Sequence, residues 1–202
     1  MSRYTGPKCR LCRREGVSLC GKEKCALKRH NYIPGQHGPK GSFAKKSEYA
    51  RQLREKQKLK RLFGVTERQM ENYFKKATTL KDITGDALMK LLETRFDNVV
   101  YRAGFAKTRA QARQMVNHGL FKVNNVTVNI PSLQMKVGDK FEVISRSKKS
   151  KLFADLEKQK YAPAKWVKAD YKVLNGEVTR VLEPNELEQI IQTSLVVEYY
   201  SK

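Results

Sequence analysis

Acidic side chains are scarce: 20 Asp plus Glu stand against 42 Lys plus Arg, a formal net charge of +22 over 202 residues. So large a surplus repels itself in a compact fold and calls for a polyanionic partner. Nucleic acid fits, because Lys and Arg that neutralise phosphates release condensed counterions. Long hydrophobic runs are missing too. The absence of any 18-residue apolar stretch, signal-peptide core or lipidation motif argues against a membrane as the polyanion. Cysteine is absent from the last 177 residues, and all four lie within the first 25. That excludes a disulfide framework and points to one local site in a reducing compartment. General disorder is excluded as well, because the 40% of residues that are hydrophobic recur in periodic segments.

The charge is unevenly spread. Residues 1–60 hold 17 basic and 4 acidic side chains, residues 102–151 hold 11 and 2, and residues 170–202 hold 3 and 6. Two basic zones suit RNA, and the mildly acidic tail suits a protein partner. The cysteines Cys9, Cys12, Cys20 and Cys25 are spaced C-x2-C-x7-C-x4-C. A C-x2-C pair sets two thiolates on one turn, and a second close pair completes a tetrahedron around zinc. An iron–sulfur cluster uses the same ligand set, and unligated cysteines are the remaining reading. Neighbouring Arg10, Arg13, Arg14, Lys22 and Lys24 are expected to lower the thiol pKa values. Four thiolates leave no open position, and the His-x-Glu and Pro-Cys-x-x-Cys pattern of zinc deaminases is missing. The metal is therefore expected to fold the N-terminus rather than catalyse. Residues 31–46 turn to Gly, Pro, Lys and His, as in a loop or extended arm.

Residues 47–62 contain no Gly or Pro and predict a helix, ended by Gly64. Tyr49, Leu53, Leu59, Leu62 and Phe63 give it an apolar stripe; Arg51, Arg54, Lys56, Lys58, Lys60 and Arg61 give it a basic face suited to RNA. Thr66 and Gln69 form a capping-box pattern opening a second helix to about Ala77. A third covers roughly residues 84–94. Arg95-Phe-Asp-Asn-Val-Val-Tyr-Arg102 predicts a helix burying Phe96, Val99 and Val100. Thr108 and Gln111 open another, stopped by Gly119. On it Arg109, Arg113 and Asn117 recur at i, i+4 and i+8, one exposed ridge, with Lys107 at its N-terminal end. The period then changes to two. Phe121–Val123 and Val126–Val128 predict strands joined at Asn124-Asn125, and Lys140–Ile144 a third.

This unit resembles the small RNA-binding module called the S-four domain. The matches are Arg95-Phe-Asp-Asn-Val-Val-Tyr-Arg102, Thr108-Arg-Ala-Gln-Ala-Arg113, Asn117-His-Gly119, Val128-Asn-Ile-Pro-Ser132 and Val137-Gly-Asp139. The module also occurs in pseudouridine synthases and some tRNA synthetases. A synthase needs a separate catalytic domain, and none fits the remaining, helical sequence. Ser2-Arg-Tyr-Thr-Gly-Pro-Lys-Cys-Arg-Leu-Cys-Arg-Arg14, Lys46-Ser-Glu-Tyr49, Gln52-Leu-Arg-Glu-Lys-Gln57 and Val196-Val-Glu-Tyr-Tyr-Ser201 extend the likeness. Nearly end to end, the chain resembles the family of the fourth protein of the bacterial small (30S) ribosomal subunit. Phe63-Gly64 stands where the family usually has Tyr-Gly, and Asn124-Asn125 where Asn-Gly is commoner. Many relatives lack the cysteines, so metal rests on the spacing alone.

The resemblance implies an α+β protein, not an enzyme: a mainly helical domain with an inserted S-four RNA-binding module of two helices and a small antiparallel sheet; the cysteine spacing adds an N-terminal four-Cys zinc knuckle. Expected segments are a zinc-binding arm (1–45), a first helical part (46–91), the module (92–155) and a return segment (156–202), with Leu182–Ile191 as its helix. It implies a cytoplasmic ribosomal constituent that binds small-subunit rRNA directly, nucleates assembly of the subunit body and has no small-molecule substrate. It further implies contact with the fifth small-subunit protein, an influence on decoding accuracy, and a place on the channel through which mRNA enters. Residues expected on RNA are Arg3, Arg10, Arg13, Arg14, Lys45, Lys46, Arg51 and Arg54, then Lys107, Arg109, Arg113, His118 and Lys122.

Overall fold

A computed structural model of the chain describes residues 4–40, 47–148, 150–154, 156 and 163–201. Its helices begin with α1 (Lys8–Glu15), α2 (Glu48–Phe63), α3 (Glu67–Thr78), α4 (Thr84–Glu93), α5 (Phe96–Arg102) and α6 (Arg109–Asn117). Strands β1 (Phe121–Val123), β2 (Val126–Val128) and β3 (Lys140–Val143) follow, then short helices α7 (Ser145–Lys148) and α8 (Lys151–Ala154). Next come β4 (Val167–Asp170), β5 (Asn175–Val178) and α9 (Thr193–Tyr200). The chain divides into two compact units: residues 1–89 with 188–202, and residues 90–187.

The first unit is helical, and local chemistry sets its boundaries. Ser47 Oγ accepts the Ala50 N–H at 3.3 Å to open α2. Thr66 and Gln69 close the reciprocal capping box of α3 at 3.4 and 3.1 Å. Leu59, Leu62, Phe63, Val65, Met70, Ala77, Leu88 and Met89 are buried. The apolar stripe expected on α2 is displaced, however: Tyr49 is exposed, while Gln52 and Lys56 are buried. The cause is α9, which packs on α2 and brings polar partners. Gln52 Nε2 donates to Glu198 at 2.9 Å, and Lys56 Nζ sits 4.6 Å from the Tyr199 ring centroid. Lys56 and Lys60 pair with Glu67 at 2.6 and 2.8 Å, and the Tyr200 hydroxyl donates to the same carboxylate at 3.0 Å. Phe74 stacks on Tyr200 at 4.8 Å.

The second unit is a small α+β body. Its sheet has the order β2-β1-β3-β5-β4 and is antiparallel throughout. Asn124 and Asn125 take positive φ (46° and 68°) to turn β1 into β2. Asn124 Nδ2 donates to Asp139 at 2.9 Å, and its Oδ1 accepts the Lys140 N–H at 3.1 Å. The inner face alternates with the pleat: Phe121, Val123, Phe141, Val143, Gly176 and Val178 are buried. Phe96 and Phe105 meet Phe121 and Phe141 edge to face, with centroids 5.6–6.0 Å apart. Such pairs contribute about 0.5–1.5 kcal/mol each beyond their buried area. Gly176 lies directly opposite Phe141, and a Cβ there would sit 2.4 Å from that ring's Cζ.

Two expectations are corrected. The sheet has five strands rather than about three, because residues 167–178 add a second hairpin beside β3. The helix expected over Leu182–Ile191 is only a 3-10 turn, Pro184–Glu186, after which Leu187 is extended (ψ 157°). The helix that belongs to the first unit is α9, which begins only at Thr193. Its Val196-Val-Glu-Tyr-Tyr sequence has weak intrinsic helix propensity, and its packing on α2 overrides that.

Candidate nucleic-acid interface

The most basic motif of the second unit encloses two acids. Glu93, at the end of α4, is fully buried, and Asp97, in the first turn of α5, nearly so. Arg102 clamps Glu93 with two hydrogen bonds of 2.9 and 2.7 Å. Arg95, itself buried, clamps Asp97 at 3.0 and 2.8 Å. The Asn98 amide nitrogen donates to the Glu93 carboxylate and to the Glu93 carbonyl, while its Oδ1 accepts from Arg109 Nε at 2.8 Å. Arg109 lies 3.8 Å from Glu93 Oε1 and 4.6 Å above the Tyr101 ring. Arg113 lies 3.6 Å from Asp97 Oδ2. Four guanidiniums thus share two carboxylates.

The exposed ridge expected on α6 is corrected by this network. The side chains of Arg109 and Arg113 are only 16% and 15% exposed, because both turn back toward α5 instead of standing out into water. Arg102, which the sequence reading left out, is 22% exposed and belongs to the same cluster. A signal for it was present: Glu93 and Asp97 stand within a few residues of Arg95 and Arg102 in a segment of otherwise apolar helix, and acids carried into a core need charged partners. Thr108 caps α6 through the Gln111 N–H at 3.2 Å, but Gln111 Oε1 reaches back to the Lys107 N–H rather than closing the reciprocal box. Lys107 and His118 are exposed at opposite ends of α6, and Lys122 is half-buried between the inward Phe121 and Val123.

In the first unit the basic residues divide. Arg10 and Arg14 are exposed on α1. Arg13 stacks 4.5 Å from the Tyr32 ring and donates to the Tyr32 carbonyl at 3.1 Å, tying α1 to the following loop. On α2, Arg51 is well exposed beside Glu48, whereas Arg54 and Arg61 both pair with the buried Glu15 carboxylate. With Lys56 and Lys60 on Glu67, much of the expected basic face of α2 is internally neutralised. Arg3, Lys45 and Lys46 lie outside the described residues.

The cysteines converge. Cys9 and Cys12 lie on one turn of α1. The sulfurs of Cys9, Cys20 and Cys25 lie within 4.8 Å of one another. Cys12, one turn along α1 from Cys9, is buried. Backbone groups of Leu19, Lys22 and Leu27 act on Cys12, Cys20 and Cys25 in the direction that favours the thiolate. A tetrahedral thiolate site with metal–sulfur bonds of about 2.3 Å needs sulfurs about 3.8 Å apart, so the cluster fits a metal ion. The expectation that basic neighbours depress every thiol is corrected. Burial pushes Cys12 up to about 12 and raises Cys20. At Cys25 burial also acts upward, but hydrogen bonds from Leu27, Ser18 and the other thiols outweigh it and hold the group at about 7.

Two basic surfaces, one on a helical unit and one on an α+β unit, together with a thiol cluster, describe a nucleic-acid-binding protein. Residues 3–93 match the family model "Ribosomal protein S4/S9 N-terminal domain", and residues 94–141 match the "S4 domain". The chain is 50% identical to the small ribosomal subunit protein uS4 of Caldicellulosiruptor bescii, with all of both chains covered. It is 46% identical, over the same full coverage, to the uS4 proteins of Thermodesulfovibrio yellowstonii and Natranaerobius thermophilus. The chain belongs to the uS4 family of small ribosomal subunit proteins, a family of structural proteins rather than enzymes. No helix among the described residues is long and apolar enough to cross a membrane.

Proposed function

We propose that this protein is a structural constituent of the small ribosomal subunit, in the bacterial cytoplasm, that binds small-subunit rRNA directly. The observation that carries the reading is the arginine cluster on Glu93 and Asp97 inside the S4 domain. Planar guanidiniums match phosphate oxygens and also stack on bases. Recognition is chiefly by RNA shape, as for other structured RNA. Lys107, Arg109, Arg113, His118 and Lys122 form one contact. Arg3, Arg10, Arg13, Arg14, Lys45, Lys46, Arg51 and Arg54 form the second, with Arg13 and Arg54 acting chiefly by holding α1 in place. Such a protein nucleates assembly of the subunit body, touches neighbouring proteins including the fifth, influences decoding accuracy, and lines the channel through which mRNA enters.

The metal of the cysteine cluster is zinc on this reading, held by Cys9, Cys12, Cys20 and Cys25. Bound there, it supplies a cross-link between α1 and the loop after it, in a stretch too small and too charged to make a core. The grouping of the Cys9, Cys20 and Cys25 sulfurs within 4.8 Å of one another supports that reading. Metal analysis of the purified protein decides between zinc and iron.

The test of the main reading is binding to small-subunit rRNA and to an unrelated structured RNA of equal length, across a salt series. Tight rRNA binding that persists where the control is lost supports it. Equal, steeply salt-dependent binding to both would reduce the interface to general polycation behaviour.

A further inference from the structure

In a chain short of acids, two carboxylates lie inside the basic cluster of the S4 domain. On the rRNA-binding reading, which this inference rests on, a carboxylate there repels the ligand. Charge alone therefore predicts that Glu93 and Asp97 weaken binding. We propose the opposite: Glu93 and Asp97 are positioning residues for RNA recognition, holding Arg102, Arg109 and Arg113 in one fixed array that meets the phosphates.

The geometry assigns each acid a distinct part. Glu93 takes Arg102 in a two-point clamp, which fixes the plane of that guanidinium. It also sets the Asn98 amide: with both the Glu93 carboxylate and the Glu93 carbonyl accepting from Nδ2, Oδ1 faces Arg109. The Tyr101 ring lies beneath the same Arg109 guanidinium, so that group is held from below and from one edge. Asp97 is itself locked by the buried Arg95 and in turn reaches Arg113. The three arginines remain 15–22% exposed, so each shows an edge to solvent while its stem is fixed. Side chains ordered on folding lose little further freedom on meeting RNA, which is how preorganisation raises affinity. It also favours one spacing of phosphates over others, which a mobile lysine patch does not.

The test compares Glu93→Gln, Asp97→Asn and Arg109→Lys in the full chain, with Glu177→Gln on the outer sheet face as the charge-matched control. Binding to small-subunit rRNA and to an unrelated structured RNA is measured across a salt series, with folding followed by circular dichroism. Glu93→Gln and Asp97→Asn each make the protein more positive by one charge, yet rRNA affinity is expected to fall about tenfold. The salt slope is expected to shrink as fewer phosphates are engaged. Arg109→Lys keeps the charge and is expected to lose several-fold, because an ammonium cannot reproduce a planar, stacked contact. Glu177→Gln is expected to bind as wild type or slightly tighter. Unchanged or tighter rRNA binding by a folded Glu93→Gln or Asp97→Asn protein would overturn the inference. If neither acid variant folds, Arg109→Lys decides, and wild-type affinity in it would overturn the inference equally. Wild-type protein that does not distinguish the two RNAs would instead overturn the rRNA reading itself.

Discussion

Replacing Glu67 by Gln is expected to loosen α9 in a pH-dependent way. Burial acts to raise the Glu67 pKa, but hydrogen bonds from Lys56, Lys60 and Tyr200 outweigh it and hold the carboxyl at about 2 rather than 4.5. The unfolded chain therefore binds the proton more tightly than the folded one. The linked stability is fully present above about pH 4.5 and is lost as pH falls through about 2. The undiscounted shift corresponds to about 3 kcal/mol. The Glu67 side chain is 38% exposed, however, and solvent screening reduces this to about 1–2 kcal/mol. Amide hydrogen exchange in α9 is the direct assay, with variant and wild type compared at the same pH. At pH 7 the variant is expected to lose about 5- to 30-fold in protection. Near pH 2 the two proteins should nearly converge, because the wild-type carboxyl is then about half protonated and most of the linked stability is gone. A protection loss of the same size at both pH values would refute the electrostatic account and leave only packing around Tyr200. Equal protection at pH 7 would refute any role for Glu67 in docking α9.

Two further perturbations test other parts of the structure. Gly176→Ala should destabilise the second unit by about 1–3 kcal/mol, since the added Cβ meets the buried Phe141 ring at 2.4 Å; a urea midpoint read from Trp166 fluorescence that stays level or rises would count against that close approach. Chelation, or Cys9→Ser, should make residues 1–40 protease-sensitive while the S4 domain keeps its resistance, and an unchanged digestion pattern would argue against a metal-built N-terminus.

Local chemistry explains which parts were legible in the sequence. The caps at Thr66 and Thr108 use partners three residues away, so a short window contains both halves of each bond. The Asn124-Asn125 turn and the cysteine spacing are local in the same sense. What escaped depends on distant partners. Strand β5 carries Gly176 where the Phe141 ring requires it, and glycine in an isolated four-residue window reads as a break rather than a strand. Lys56 looks like surface by type and is buried only because Tyr199, Tyr200 and Glu67 surround it. Helical periodicity set Arg109 and Arg113 outward. Their guanidiniums turn back because Glu93 and Asp97 arrive from α4 and α5, so the residues were legible and their orientation was not.

That orientation bears on why such a cluster exists. Burying carboxylates and guanidiniums costs several kcal/mol per ion, and well-packed apolar residues in their place are often as stable or more so. Stability alone therefore does not account for Arg95, Glu93 and Asp97 at 0–5% exposure. Net charge does not account for them either, since deleting both acids would add two positive charges. Direction is what remains: a two-point clamp fixes a guanidinium plane, and an amide locked by two acceptors fixes the next. Lysine in these positions would keep the charge and lose the plane. A surface that must fit one folded RNA among many polyanions gains from that rigidity, because the wrong spacing of phosphates is then refused as well as the right one accepted.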